Sequence, residues 1–240
     1  MKKTLNLLRF AFVAMWTVFS AVTSIILIVF TFKKEMASFV ARRIWSPVIL
    51  FICRVKLVIT GKENIDAGKK HIFISNHESL LDIPAIFAAI PVNLFFIAKK
   101  ELKKVPFMSW AMQMGGMIFI DRKNKEQAHR DMLRAGELIR KGKNIISFPE
   151  GTRTKTGEMG VFKRGAFLLS ASTGIDIIPI AIKGARELLP YGSFILTPGQ
   201  LHVHIFPPAS PKNYAQDAID VFSGSLRQQI LEKKNRWENN

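Results

Sequence analysis

A succession of short apolar runs, each too short to be a helix of ordinary length, constrains this chain most. Val55, Leu57 and Ile59 alternate with Lys56, Val58 and Thr60, which predicts a strand. His71–Ser75 reads as a buried strand and residues 93–98 form another apolar run. Residues 117–120, 144–147 and 177–182 read as strands, with a late one over 201–206. Between them lie stretches of helical texture. These are 108–115, with Trp110 and the methionines Met108, Met112 and Met114; an amphipathic segment 125–140 with Leu133, Leu138 and Ile139 as candidate core; about 164–173; and a polar segment 214–236. Strands alternating with helices predict an α/β domain, a mixed central sheet flanked by helices, over residues 54–240.

Residues 10–32 have a different texture. They are almost wholly apolar, about 23 residues or roughly 34 Å as a helix, enough to cross the hydrocarbon core of a bilayer. The run is too long for a signal peptide and no small-residue cleavage site follows it. Lys2, Lys3 and Arg9 precede it, and Lys33, Lys34, Arg42 and Arg43 follow, so charge does not select an orientation. Residues 36–52 read as a helix broken at Arg42, Arg43 and Pro47, a poor second span and a fair interfacial helix. Residues 1–53 are therefore expected to form a hydrophobic helical membrane anchor, two helices dipping into one leaflet in preference to a full span. The formal charge of +17 in 240 residues favours polyanions: nucleic acid, an anionic lipid surface or a phosphorylated substrate.

Chemistry concentrates where the strand 71–75 ends, at Asn76-His77-Glu78-Ser79-Leu80-Leu81-Asp82. Five residues of ideal helix turn through about 140°, so His77 and Asp82 on one helix would point apart. To work as a pair, His77 must lie in the turn after the strand and Asp82 in the first helical turn, reaching back; Pro84 suits a helix start. Asp82 would then hold one imidazole nitrogen protonated and leave the other free to take a proton. The same two residues equally suit a helix cap.

Further blocks follow in order: Gly116-Met117-Ile118-Phe119-Ile120-Asp121-Arg122, then Phe148-Pro149-Glu150-Gly151-Thr152-Arg153, then an apolar segment around Pro179. With the N-H-x-x-x-x-D block (the HX4D motif), this set resembles the glycerolipid acyltransferase superfamily, and within it the 1-acylglycerol-3-phosphate O-acyltransferases that make phosphatidic acid. The resemblance covers residues 55–210. It implies transfer of a fatty acyl group from acyl-CoA or acyl carrier protein to the sn-2 hydroxyl of lysophosphatidic acid, with His77 as general base and Asp82 as its orienter. It implies no cofactor, the thioester being a substrate. Arg122 and Arg153 are assigned to the acceptor phosphate, which a guanidinium grips through paired hydrogen bonds. Glu150 would orient Arg153 or bind the glycerol hydroxyl, Gly151 would let backbone approach a ligand, and Thr152 would donate a hydrogen bond. Lys163 and Arg164 would add positive potential. The membrane is expected to be of the bacterial inner type, with the catalytic domain on its cytoplasmic side. Another lysophospholipid or a lipid A precursor is the alternative acceptor.

Some classes are disfavoured. Cys53 is the only cysteine, so no internal disulfide or cysteine-rich metal site is expected; set in an apolar run, it reads as a buried inert thiol. His202 and His204 alternate on one strand face without a matching carboxylate, and no metal is expected. The aromatics are mostly phenylalanines in apolar runs, not interleaved with Lys/Arg clusters, so anionic membrane lipids and not nucleic acid are the expected polyanion. The cluster Lys99, Lys100, Lys103 and Lys104 reads either as a solvated face or as a grip for lipid or coenzyme A phosphates.

Overall fold

The computed structural model describes residues 2–121, 124–214 and 218–238. In chain order its elements are α1 (Lys2–Thr31), α2 (Met36–Val40), α3 (Ser46–Ile52), β1 (Val55–Thr60), β2 (Ile72–Ser75), α4 (Asp82–Ala89), β3 (Leu94–Lys99), α5 (Met108–Met114), β4 (Ile118–Ile120), α6 (Lys125–Arg140), β5 (Asn144–Ser147), α7 (Gly165–Thr173), β6 (Ile177–Lys183), α8 (Ala185–Leu188), β7 (Gly199–Ile205) and α9 (Ile219–Glu238). Among the described residues seven strands form one mixed sheet, in the order β1-β7-β6-β2-β5-β3-β4. From β6 to β4 all neighbours are parallel. The strand β7 joins β6 antiparallel and carries β1 beside it in parallel. Five parallel strands therefore deliver their following loops to a single edge, where sites form in folds of this kind.

Both faces of the sheet are covered, and the strands show it: β2, β5 and β6 are buried at nearly every position instead of alternating. Phe73, Ile146, Ile178 and Ile180 face a layer made by α3 and α4, with Trp16 and Trp45 packed against it. Ile72, Ile74, Ile145 and Ile177 face α6, α7 and α9. Successive residues of one strand serve opposite layers, as the period of two requires.

The helix α1 packs along α2, α3 and α5. Trp45 donates from Nε1 to Thr17 Oγ1 at 2.9 Å, and Phe10 meets Phe194 edge-on at 5.4 Å. Another side of α1 is open: Leu7, Phe19, Val29 and Phe30 are exposed, as are Phe39 of α2, Phe51 of α3 and Trp110 of α5. Among the described residues α1 is the one helix long and apolar enough to cross a membrane, and only 22% of its most apolar window is buried.

Two sequence expectations change. The segment 36–52 is not broken at Arg42, Arg43 and Pro47: a π-helical turn over Ala41–Trp45 joins α2 to α3 with helical dihedrals throughout. The wider turn absorbs the amide that Pro47 lacks, and Ser46 Oγ donates to the Arg42 carbonyl at 3.3 Å. Leu133 is exposed and not core; Ala135 and Ile139 carry the buried face of α6. The methionine-bearing helix α5 lies at the surface, with Met114 and Trp110 exposed.

Candidate active site

The strand β2 ends at Ser75, and residues 76–81 form a loop before α4 opens at Asp82. Asn76 fixes the start of that loop. Its Oδ1 accepts from Ile182 N at 2.8 Å and its Nδ2 donates to Ile182 O at 2.9 Å, locking the loop to the end of β6. Asp82, fully buried, reaches back from the first turn of α4. Its Oδ2 lies 2.7 Å from His77 Nδ1 and also accepts from Glu78 N at 2.6 Å and Ser79 N at 2.8 Å. A carboxylate oxygen can only accept here, so Nδ1 carries the proton and Nε2 is left as the acceptor. Asp82 Oδ1 is buried without a partner among the described residues.

The second half of the site comes from the loop after β5. Phe148 stacks on the imidazole with ring centroids 3.9 Å apart and planes 13° from parallel. Glu150 accepts His77 N–H on Oε1 at 2.7 Å and Gly160 N–H on Oε2 at 2.7 Å, and Thr154 N donates to the His77 carbonyl at 2.9 Å. The histidine is thus held by side chain, ring face and both main-chain groups. It is not sealed, since 14% of its side-chain surface stays open. Burial pushes the Glu150 carboxyl above the usual range, against the two main-chain donors that favour its charged form.

The other sequence candidates fall as follows. With both oxygens taken by main chain, Glu150 does not orient Arg153; it braces His77. Gly151 takes φ +78°, and Lys163 lies over it; a left-handed turn there favours glycine. Thr152 is exposed. The Arg153 guanidinium sits 4.7 Å from the Tyr191 ring centroid. Arg164 is drawn to Asp220 at 3.1 Å, away from a role in the loop. Arg122 lies outside the described residues. Of the lysine cluster, Lys99 pairs with Glu101 and Lys100 with Asp121. Cys53 is buried and its thiol is pushed up to about 11 by burial. His204 Nδ1 meets Thr60 Oγ1 at 2.7 Å, and among the described residues no group of three or more His, Cys, Asp or Glu is placed to hold a metal ion.

Sequence reasoning assigned no role to Phe148 or Asn76, although both stand inside the motifs. Tyr191 and Gly160 carry no local signal; only the fold brings them to this edge.

An arrangement of this kind can take a proton at Nε2 from a hydroxyl brought to it. A family model described as Acyltransferase matches residues 56–183, just over half of the chain. A 1-acyl-sn-glycerol-3-phosphate acyltransferase of Saccharomyces cerevisiae is 32% identical over 203 residues, 83% of this chain and 67% of the relative. A chloroplastic relative of that description from Brassica napus is 32% identical over 85% of this chain, but the chain spans only 58% of its length. One from Borreliella burgdorferi is 26% identical, covering 82% and 78%. The crystal structure of the 1-acyl-sn-glycerophosphate (LPA) acyltransferase PlsC from Thermotoga maritima superposes with a TM-score of 0.82 at 29% identity, over 99% of each chain. On the matched motif core and the shared fold, the chain belongs to the acyltransferase family.

Proposed function

We propose that this enzyme transfers a fatty acyl group from acyl-CoA or acyl carrier protein to the sn-2 hydroxyl of 1-acylglycerol 3-phosphate, giving phosphatidic acid, with His77 as general base. The observation that carries the reading is the imidazole whose Nδ1 is tied to buried Asp82 while 14% of its side-chain surface stays open. A thioester is already activated, so the task left is to sharpen the alcohol. Nε2 takes the hydroxyl proton as the oxygen attacks the thioester carbon, and Asp82 stabilises the imidazolium that forms. Phe148 fixes the ring plane, so little reorganisation accompanies the transfer. The names of the similar proteins supply the acceptor.

Arg153, half-buried on Tyr191, belongs to the loop that braces His77, and we assign it to the acceptor phosphate together with Arg122. In this reading no resident cofactor takes part. Residues 1–53 act as the anchor and 54–240 as the catalytic domain. Acceptor and product are lipids, and drawing one into water costs about 0.8 kcal/mol per CH₂. The exposed apolar side of α1 holds the site at the bilayer, and the basic surface favours anionic lipid. The exposure of that side favours a helix lying in one leaflet; we read the membrane as of the bacterial inner type, with the site on its cytoplasmic side.

The test is phosphatidate formation by purified protein in anionic vesicles, offered acyl-CoA or acyl carrier protein. His77→Ala is expected to lower turnover by about 10²–10⁴-fold. Arg153→Ala is expected chiefly to raise KM for the acceptor. Near-wild-type turnover by His77→Ala would refute the base, and an acceptor lacking phosphate used equally well would refute the arginine.

A further inference from the structure

We propose that Lys234, near the end of α9, is a positioning residue for acyl transfer: its buried ion pair with Glu78 holds the loop that orients Asp82 and His77. The inference rests on the reading of His77 and Asp82 as the working pair. The helix α9 lies outside the residues 56–183 that the family model matches, yet it grips both halves of the site. Lys234 Nζ lies 2.5 Å from Glu78 Oε1, with the two side chains 6% and 5% exposed. Glu78 stands next to His77, and its main-chain N–H is one of the donors on Asp82 Oδ2. Asn76 Nδ2 reaches the same Glu78 oxygen at 3.4 Å. Seven residues earlier on α9, Arg227 donates to the carbonyls of Met159 at 2.6 Å and Gly160 at 2.9 Å. Gly160 N–H in turn holds Glu150, which holds His77. One helix thus tethers the loop after β2 through a carboxylate and the loop after β5 through two carbonyls.

A buried pair is a poor source of net stability, because desolvation offsets the attraction; breaking one side leaves a charge stranded. A core of apolar residues would hold α9 equally well, and Phe222, Leu226 and Ile230 already do so. What the pair adds is direction, as it fixes where the Glu78 side chain must go and hence the turn of its main chain. Beside it opens a cavity of about 310 Å³ lined by Glu158, Lys183, Arg186 and Glu187 as well as the pair itself. The charged groups facing Glu78 are therefore Lys234 from α9, Asp82 from α4, Glu187 and Arg186 from α8, and Lys183 and Glu158 from the cavity wall. Lys234 supplies its largest charge-stabilising contribution, while Asp82 and Glu187 oppose its ionisation.

The experiment is acyl transfer by the full chain in anionic vesicles across a pH series, with thermal melting as a fold control. Lys234→Met is expected to lower kcat by about 10–100-fold, the scale of an ångström-sized misplacement, with KM for both substrates little changed. It also acquires a further loss on the alkaline side, where Glu78 must ionise without its ammonium. The double variant Glu78→Gln/Lys234→Met buries no lone charge and so lacks the alkaline loss, but it also lacks the directing pair and stays slow, with KM little changed. Arg227→Gln, at a more open position, lowers kcat at constant KM and decides the matter if Lys234→Met does not fold. Wild-type kcat at every pH in a folded Lys234→Met, or a double variant restored to wild-type kcat, overturns the proposal; so does wild-type kcat in Arg227→Gln where it is the deciding variant. His77→Ala in the same assay tests the base separately, since it leaves Lys234, Glu78 and Arg227 intact.

Discussion

Asp82 is asked to do three things with one oxygen: hold the imidazole proton and accept the amides of Glu78 and Ser79. An amide oxygen reproduces those contacts but not the negative charge that steadies an imidazolium. Asp82→Asn is therefore expected to fold, to bind acceptor much as before, and to lose about 10³–10⁴-fold in kcat, the scale seen when the acid of a catalytic triad is made an amide; initial-rate kinetics checks it. The spacing of His77 and Asp82 already demanded a turn followed by a helix start, and α4 begins at Asp82. The sequence did not reveal what braces the pair. A carboxylate beside a phosphate site would repel the ligand, so the sequence reads Glu150 as orienting Arg153 or binding the glycerol hydroxyl; its oxygens instead accept main-chain amides, one from Gly160 in its own loop and one from His77, 73 residues away. Such contacts depend on tertiary placement, which local spacing does not encode.

Elements were legible where period and length agree. The apolar runs became β1 to β7, and the segment 125–140 became α6 with the same bounds. The assignment of Leu133 to the core failed because an amphipathic pattern gives a stripe, and its edge is set by what packs there, here α7 and β4. The union of α9 with the loop after β2 was invisible, since a lysine in a polar helix reads as solvated. That union has a pH signature. Glu78 is pushed up to about 7 from an ordinary 4.5, chiefly by burial, even with the Lys234 ammonium at 2.5 Å; burial outweighs the pair. A carboxyl whose folded value is raised contributes stability below its unfolded value and loses it as pH climbs through the folded one. Between pH 4.5 and a little above 7 this group is expected to withdraw about 3 kcal/mol. Denaturant titrations at pH 5 and pH 8 should show that loss in the wild type and not in Glu78→Gln/Lys234→Met.

At the scale of the whole molecule, one flank is apolar and the remainder strongly basic. Phe19 and Phe30 project from α1 with 54% and 80% of their surface open. Phe19→Glu and Phe30→Glu are expected to weaken co-sedimentation with anionic vesicles by about 10- to 100-fold each, the scale of losing one buried aromatic side chain. Added salt should weaken it further without abolishing it, because screening acts on charge and not on the apolar contact. The turn that joins α2 to α3 gains meaning from burial. Inside the protein no water is at hand to satisfy a stray carbonyl, and each one left bare is costly. Ser46 is fully buried, and its hydroxyl, by capping the Arg42 carbonyl, makes a proline tolerable there, so serine and proline form a matched set: a chain that kept Pro47 and lost Ser46 would leave a thirsty oxygen where no solvent reaches.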